Sequence, residues 1–213
     1  MKTDELIGLL AASAEPVKPG AVGSKLSLAW LSGLLICAVI MAINLGVNPE
    51  LVTAMHLSMF WIKLAYVVSL CVILWWVVQR LAQPGLTATR QFFYLMLPLL
   101  AMWLLALVQL NSATPIQAQA LIWGGTWQAC PLLIAELSVP IFISMMLAMK
   151  QLAPTQLRLA GAAAGLLSGA SAALVYCLHC PEMGAPFLGI WYLLGMLIPA
   201  GFGALLGPKV LRW

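Results

Sequence analysis

Six long apolar runs, separated by short polar breaks, organise the chain. They cover roughly residues 26–45, 58–79, 91–110, 130–149, 157–177 and 187–208. A hydrocarbon core about 30 Å thick takes roughly 20 residues of helix to cross. A backbone in lipid must also satisfy its own hydrogen bonds, which a helix does. The breaks carry turn chemistry: Asn48-Pro49, Gln83-Pro84-Gly85, Asn111-Ser112, Ala153-Pro154 and Pro181-Glu182. The pattern predicts an all-α membrane protein, a six-transmembrane-helix bundle over residues 26–213 preceded by a polar segment, 1–25.

Composition agrees. Of 213 residues 63% are hydrophobic and 8% charged, and the mean hydropathy is +1.03. A soluble domain carries roughly 25% charged residues. The net charge of +4 does not argue for direct nucleic-acid binding, because in a membrane chain the placement of Lys and Arg sets orientation. Nine of the ten basic residues (Lys2, Lys18, Lys25, Arg80, Arg90, Lys150, Arg158, Lys209, Arg212) fall on one side of the six spans, and only Lys63 on the other. Both termini are therefore expected in the cytosol, with the loops 46–57, 111–129 and 178–186 outside. Asp4, Glu5 and Glu15, and the lack of a small-x-small cleavage site, argue against a signal peptide and for an uncleaved first span.

Gly161, Gly165 and Gly169 recur at every fourth position of the fifth span, and Gly203-x-x-x-Gly207 ends the sixth. Small residues at this spacing let helices approach closely. They predict packing within one bundle, with a homodimer left open. Pro98, Pro140 and Pro199 are expected to bend their spans locally. No internal repeat is visible, which disfavours an inverted-repeat transporter.

The chemistry concentrates outside. Cys37 and Cys71 lie mid-span and read as small hydrophobes. Cys130, Cys177 and Cys180 lie at the outer edge, as soft thiols exposed to an oxidising compartment. Cys177-Leu-His-Cys180 suggests a dithiol redox centre, but a thioredoxin-type reading needs a βαβ context that is absent. A quinone-linked membrane thiol oxidase stays open, as does attack by a soft metal ion. A permanent site on Cys130, Cys177, Cys180 and His179 is disfavoured, because adjacent His179 and Cys180 co-ligate only with local distortion. A protonated His179 would lower the pKa of its neighbour Cys180.

Lys63 and Glu136 each lie about two turns into a span, and intramembrane charges are functional candidates by default. The simpler expectation is that they pair, or that Lys63 snorkels to the surface. No H-E-x-x-H, G-x-S-x-G, phosphate loop or carboxylate pair is present, so no enzyme and no cofactor is expected. At the N-terminus, Thr3 suits an N-cap, Asp4 and Glu5 suit the positive end of a helix, and Leu6, Leu9 and Leu10 form an apolar stripe beside Ile7. A helix of about ten residues is marginal alone, and its acidic polar face favours a protein partner over a membrane surface.

These pieces together resemble the negative regulator of sigma F family of membrane anti-sigma factors. The likeness runs through Thr3-Asp-Glu-Leu-Ile-Gly-Leu-Leu-Ala-Ala-Ser-Ala-Glu-Pro-Val17, Trp127-Gln-Ala-Cys130, Leu178-His-Cys-Pro-Glu182, Pro186-Phe187, Trp191-Tyr192 and the final run from Gly203 to Arg212-Trp213. It implies a multi-pass protein of the bacterial inner membrane whose segment around Asp4, Glu5, Leu6, Ile7, Leu9 and Leu10 holds an extracytoplasmic-function sigma factor. It further implies release of that factor when Cys130 and Cys180 sense heavy-metal or oxidative stress, with transient metal attack on those two thiols. Cys177, His179 and Glu182 would be auxiliary, and Cys177 an extra. The family often carries Trp-His where this chain has Trp191-Tyr192.

Overall fold

A computed structural model of the chain describes Thr3 and residues 20–212. Among these residues six helices are long and apolar enough to cross a membrane, and none is in a strand. In chain order the helices are α1 (Ala21–Asn44), the short α2 (Leu51–Ala54), α3 (Ser58–Leu81), α4 (Thr89–Ser112), α5 (Pro115–Trp123), α6 (Cys130–Lys150), α7 (Leu157–Tyr176) and α8 (Ala185–Val210). The expected spans hold to within a few residues, α1 starting at Ala21 ahead of the expected 26.

The helix ends follow from local chemistry. At the close of α1 the amides of Leu45 and Gly46 both return to the Met41 carbonyl. Gly46 has φ +73, a left-handed turn that glycine makes without Cβ strain. The segment expected as a plain loop, 111–129, instead contains α5. Its start is a capping box: the Thr114 hydroxyl accepts from the Gln117 amide (3.5 Å), the Gln117 side chain accepts from the Thr114 amide (3.0 Å), and Pro115 occupies the first turn.

α7 is the hub. Of its most apolar window 78% is buried inside the bundle, against 17–44% for the other five spans. It packs on α8, α6 and α3, while α4 lies at an edge against α3 and the start of α8. The glycine stripe explains the closeness. A Cβ on Gly161 would collide with the Gly203 carbonyl, and one on Gly165 with the Pro199 carbonyl; both neighbours are backbone. The stripe therefore serves packing within the chain. α1, only 22% buried over its window, lies against α6 at Gly33, where a Cβ would sit 2.6 Å from Ile141 Cα.

Two buried serine hydroxyls are satisfied within their own helices. Ser168 donates to the Ala164 carbonyl (2.7 Å) and Ser138 to Ala135 (2.6 Å), the usual solution where no water is at hand. Near its start α8 makes one π turn, Leu188–Tyr192. The wider turn sets Trp191 against Trp123 and Trp127 and leaves Tyr192 fully buried.

Candidate functional site: a buried thiol cluster

The cluster forms where α6 begins, α7 ends and α8 begins. Cys130 is the first residue of α6. Past Tyr176 the chain continues as a tight turn: the amides of Cys177 and Leu178 return to Ala173 and Val175, and those of His179 and Cys180 both to Tyr176. This turn folds Cys180 back until its thiol meets that of Cys130. Cys177 lies alongside, close enough to Cys180 to sense its charge.

The thiols expected at an exposed edge are in fact buried: Cys130 is 0% exposed, Cys177 1% and Cys180 2%. Hydropathy located their depth but not the side chains around them. The Tyr192 hydroxyl faces the sulfurs of Cys177 and Cys180 without a hydrogen bond of full geometry, and Tyr176 meets Cys130. Contact with the Cys130 thiol, then with the Tyr192 hydroxyl, the Lys63 ammonium and the Glu182 amide, outweighs burial and pulls the Cys180 thiol below its ordinary value. Burial pushes the Cys177 thiol up to about 12, with Lys63 only partly opposing it.

Lys63 departs from both expectations for it. It does not pair with Glu136, which is exposed on the flank of α6, and it does not snorkel, being fully buried. Its ammonium donates to the carbonyls of Cys180 (2.9 Å) and Glu182 (3.2 Å) and lies 5.9 Å from the centre of the Phe60 ring. Two residues sharing a depth in the bilayer need not share a face, and here α3 turns Lys63 toward the thiol turn. Lys63→Met is expected to leave both carbonyls unpaired, at about 1–3 kcal/mol each. Thermal unfolding in detergent checks this, and Lys63→Gln, which can still donate, should recover part of the loss.

Glu182 acts as a strap. Its carboxylate accepts from the Gly125 amide (2.7 Å) and the Thr126 hydroxyl (3.4 Å), tying the thiol turn to the loop that leads into Cys130. Gly124, at φ +55, makes room: a Cβ there would lie 2.7 Å from the Glu182 carboxylate. On the same loop the rings of Trp123, Trp127 and Trp191 pack with centroids 4.9–5.6 Å apart. The Trp191 indole donates to the Ile122 carbonyl (2.8 Å).

His179 does not tune Cys180. Its Nδ1 lies 3.0 Å from the Gly46 carbonyl at the end of α1, and its ring packs on Tyr176. The set Cys130, Cys177, Cys180 and His179 thus does not converge on one point. Among the described residues no group of three or more His, Cys, Asp or Glu side chains could hold a metal ion. Cys71, expected as core bulk, meets the buried Ser171 hydroxyl, which also accepts from the Trp30 indole (2.8 Å). The segment Asp4, Glu5, Leu6, Ile7, Leu9 and Leu10 lies outside the described residues.

Sequence reading therefore picked out the thiols, Lys63 and Glu182, and missed Tyr176, Tyr192, Gly46 and the Gly124-Gly125 pair. Only Gly124-Gly125 carries a local signal, as a turn dipeptide.

Comparison with known proteins places the chain. The family described as "Negative regulator of sigma F" matches residues 10–213. The chain is 49% identical, over the full length of both, to the "Probable anti-sigma-F factor NrsF" of Azospira oryzae. It is 34% identical, again over both full lengths, to the "Anti-sigma-F factor NrsF" of Caulobacter vibrioides. No solved structure matches it. The chain belongs to the family of negative regulators of sigma F.

Proposed function

We propose that this protein is an anti-sigma factor of the bacterial inner membrane, with both termini in the cytoplasm and the thiol cluster on the periplasmic side. Its segment 1–25 sequesters a sigma factor of the extracytoplasmic-function class, through Asp4, Glu5 and the apolar stripe of Leu6, Ile7, Leu9 and Leu10. The sigma factor is released when Cys130 and Cys180 react under oxidative or heavy-metal stress. Full-length likeness to named anti-sigma-F factors supports the partner class. The observation that carries the sensing role is the meeting of Cys130 and Cys180 from two different elements. Oxidation to a disulfide removes two electrons and two protons, both passed to the oxidant, while a soft metal ion would displace the two protons instead. Either event changes how the turn after α7 sits on the start of α6.

The test is co-purification. A sigma factor is expected to accompany the intact protein from detergent-solubilised membranes and to be lost when residues 1–20 are removed. Retention by the truncated protein would refute the segment's role. Dithiol oxidation by the purified protein with bound quinone would favour a membrane thiol oxidase instead.

A further inference from the structure

We propose that a two-bond clasp between the thiol turn and the end of α1 carries the state of the thiols to the N-terminal segment. The bonds are Asn48 N–H to the Leu178 carbonyl (3.1 Å) and His179 Nδ1–H to the Gly46 carbonyl (3.0 Å). The inference rests on the sensing reading above and adds the route. A carbonyl only accepts, so His179 holds its proton on Nδ1. The left-handed turn at Gly46 ends α1, and the Gly46 carbonyl is the group that His179 takes. Leu178 and His179 are the only residues between Cys177 and Cys180 that face outward from the cluster, both half-buried. Any movement of Cys180 passes to His179 through one peptide bond and to Leu178 through two.

The clasp joins the thiol turn, at the end of the α7 hub, to α1. α7 and α8 touch backbone to backbone, so they resist rearrangement. α1 packs on α6 through Gly33, buries Leu26, Cys37 and Met41 in the core, and reaches α7 through Trp30 on Ser171; the clasp is its tie to the thiol turn. A disulfide of about 2.05 Å draws two sulfurs closer than any non-bonded contact. The short turn must absorb that change, and the clasp is where the turn meets α1. In the structure all five cysteines are free thiols and the clasp is closed. In this proposal the closed clasp belongs to the reduced, sigma-holding state. His179 is a positioning residue that acts through α1.

Two measurements decide it. The chain has two histidines, so ¹⁵N-histidine labelling of the intact protein in detergent gives two side-chain systems, with His56 as the internal reference. Forming the Cys130–Cys180 disulfide is expected to shift the His179 Nδ1 signal and expose its proton to exchange; an unchanged His179 signal overturns the proposal. In cells, His179→Ala at wild-type membrane abundance should raise uninduced sigma-dependent transcription at least about fivefold, the lower end of typical coupling between sites. The rise should persist in a Cys130→Ser, Cys180→Ser background, and His179→Asn, which keeps a donor near the Nδ1 position, should hold transcription low. An uninduced level equal to wild type overturns the clasp, as does a rise that vanishes with the thiols. A double-serine protein that still responds to the inducer overturns the thiol-sensing reading itself, a separate failure.

Discussion

Gly165→Leu is expected to prevent the chain from accumulating as a folded bundle. A Cβ at this position collides with the Pro199 carbonyl oxygen, and it would lie 2.6 Å from the carbonyl carbon and 2.8 Å from Ala200 Cα. All three atoms are backbone, so no rotamer change relieves the clash and α8 must move away from α7. Overpacking a core whose walls are side chains costs about 1–3 kcal/mol, and a backbone wall makes that a floor. The consequence is broad because α7 also supports α3 and α6. Gly201→Leu is the control: it directly follows Ala200 on α8, yet is exposed, with no atom within 4 Å of its added Cβ. The two variants are compared by yield of monodisperse protein in detergent and by thermal unfolding. Equal behaviour would show that α7 and α8 do not meet at this glycine.

That packing was readable in the sequence because Gly161, Gly165 and Gly169 repeat at helical spacing, and repetition marks a face. Gly33 does the same work between α1 and α6, yet a lone glycine in an apolar run announces nothing. The spans themselves were legible for the same reason as the stripe: about twenty apolar residues in a row have few alternatives in lipid. The capping signal of α5 is present in Thr114-Pro115-Ile116-Gln117, but it lies inside a segment too short to span, where the hydropathy pattern reads as loop. Side-chain direction was the main thing hidden. Lys63 and Glu136 share a depth, and only the rotation of α3 and α6 decides that they face different neighbours. The meeting of Cys130 and Cys180 entered through family resemblance, since spacing alone pointed to Cys177 and Cys180. The strap made by Glu182 depends on a contact across 57 residues of chain, which no local pattern encodes. The π turn at Leu188–Tyr192 adds one residue to a helix without any change in composition.

Cys180→Ser and Cys130→Ser are each expected to abolish inducible release of the sigma factor, whereas Cys177→Ser should leave it largely intact. The difference arises in thiol chemistry, because the thiolate is the species that attacks an oxidant or binds a soft metal. Cys180, held below the ordinary thiol value chiefly by its contact with Cys130, carries the larger thiolate fraction at neutral pH. Cys177, raised by burial to about 12, is almost wholly protonated there. With a small neutral alkylating reagent at pH 7, Cys180 should therefore be modified well ahead of Cys177, as read by peptide mass spectrometry. Its rate should fall as the pH drops below the lowered thiol pKa, by about tenfold per unit, because the thiolate fraction falls by that factor. Burial slows both sites but does not reverse their order, since they are 2% and 1% exposed. Cys130→Ala should also slow Cys180 at pH 7, because the thiol that helps to hold its negative charge is gone. A sigma-dependent reporter supplies the functional arm. If Cys177→Ser blocked induction while Cys180→Ser did not, the sensing pair would be the two cysteines of one turn. A disulfide would then form without drawing on α6, and nothing would pull the turn toward Cys130.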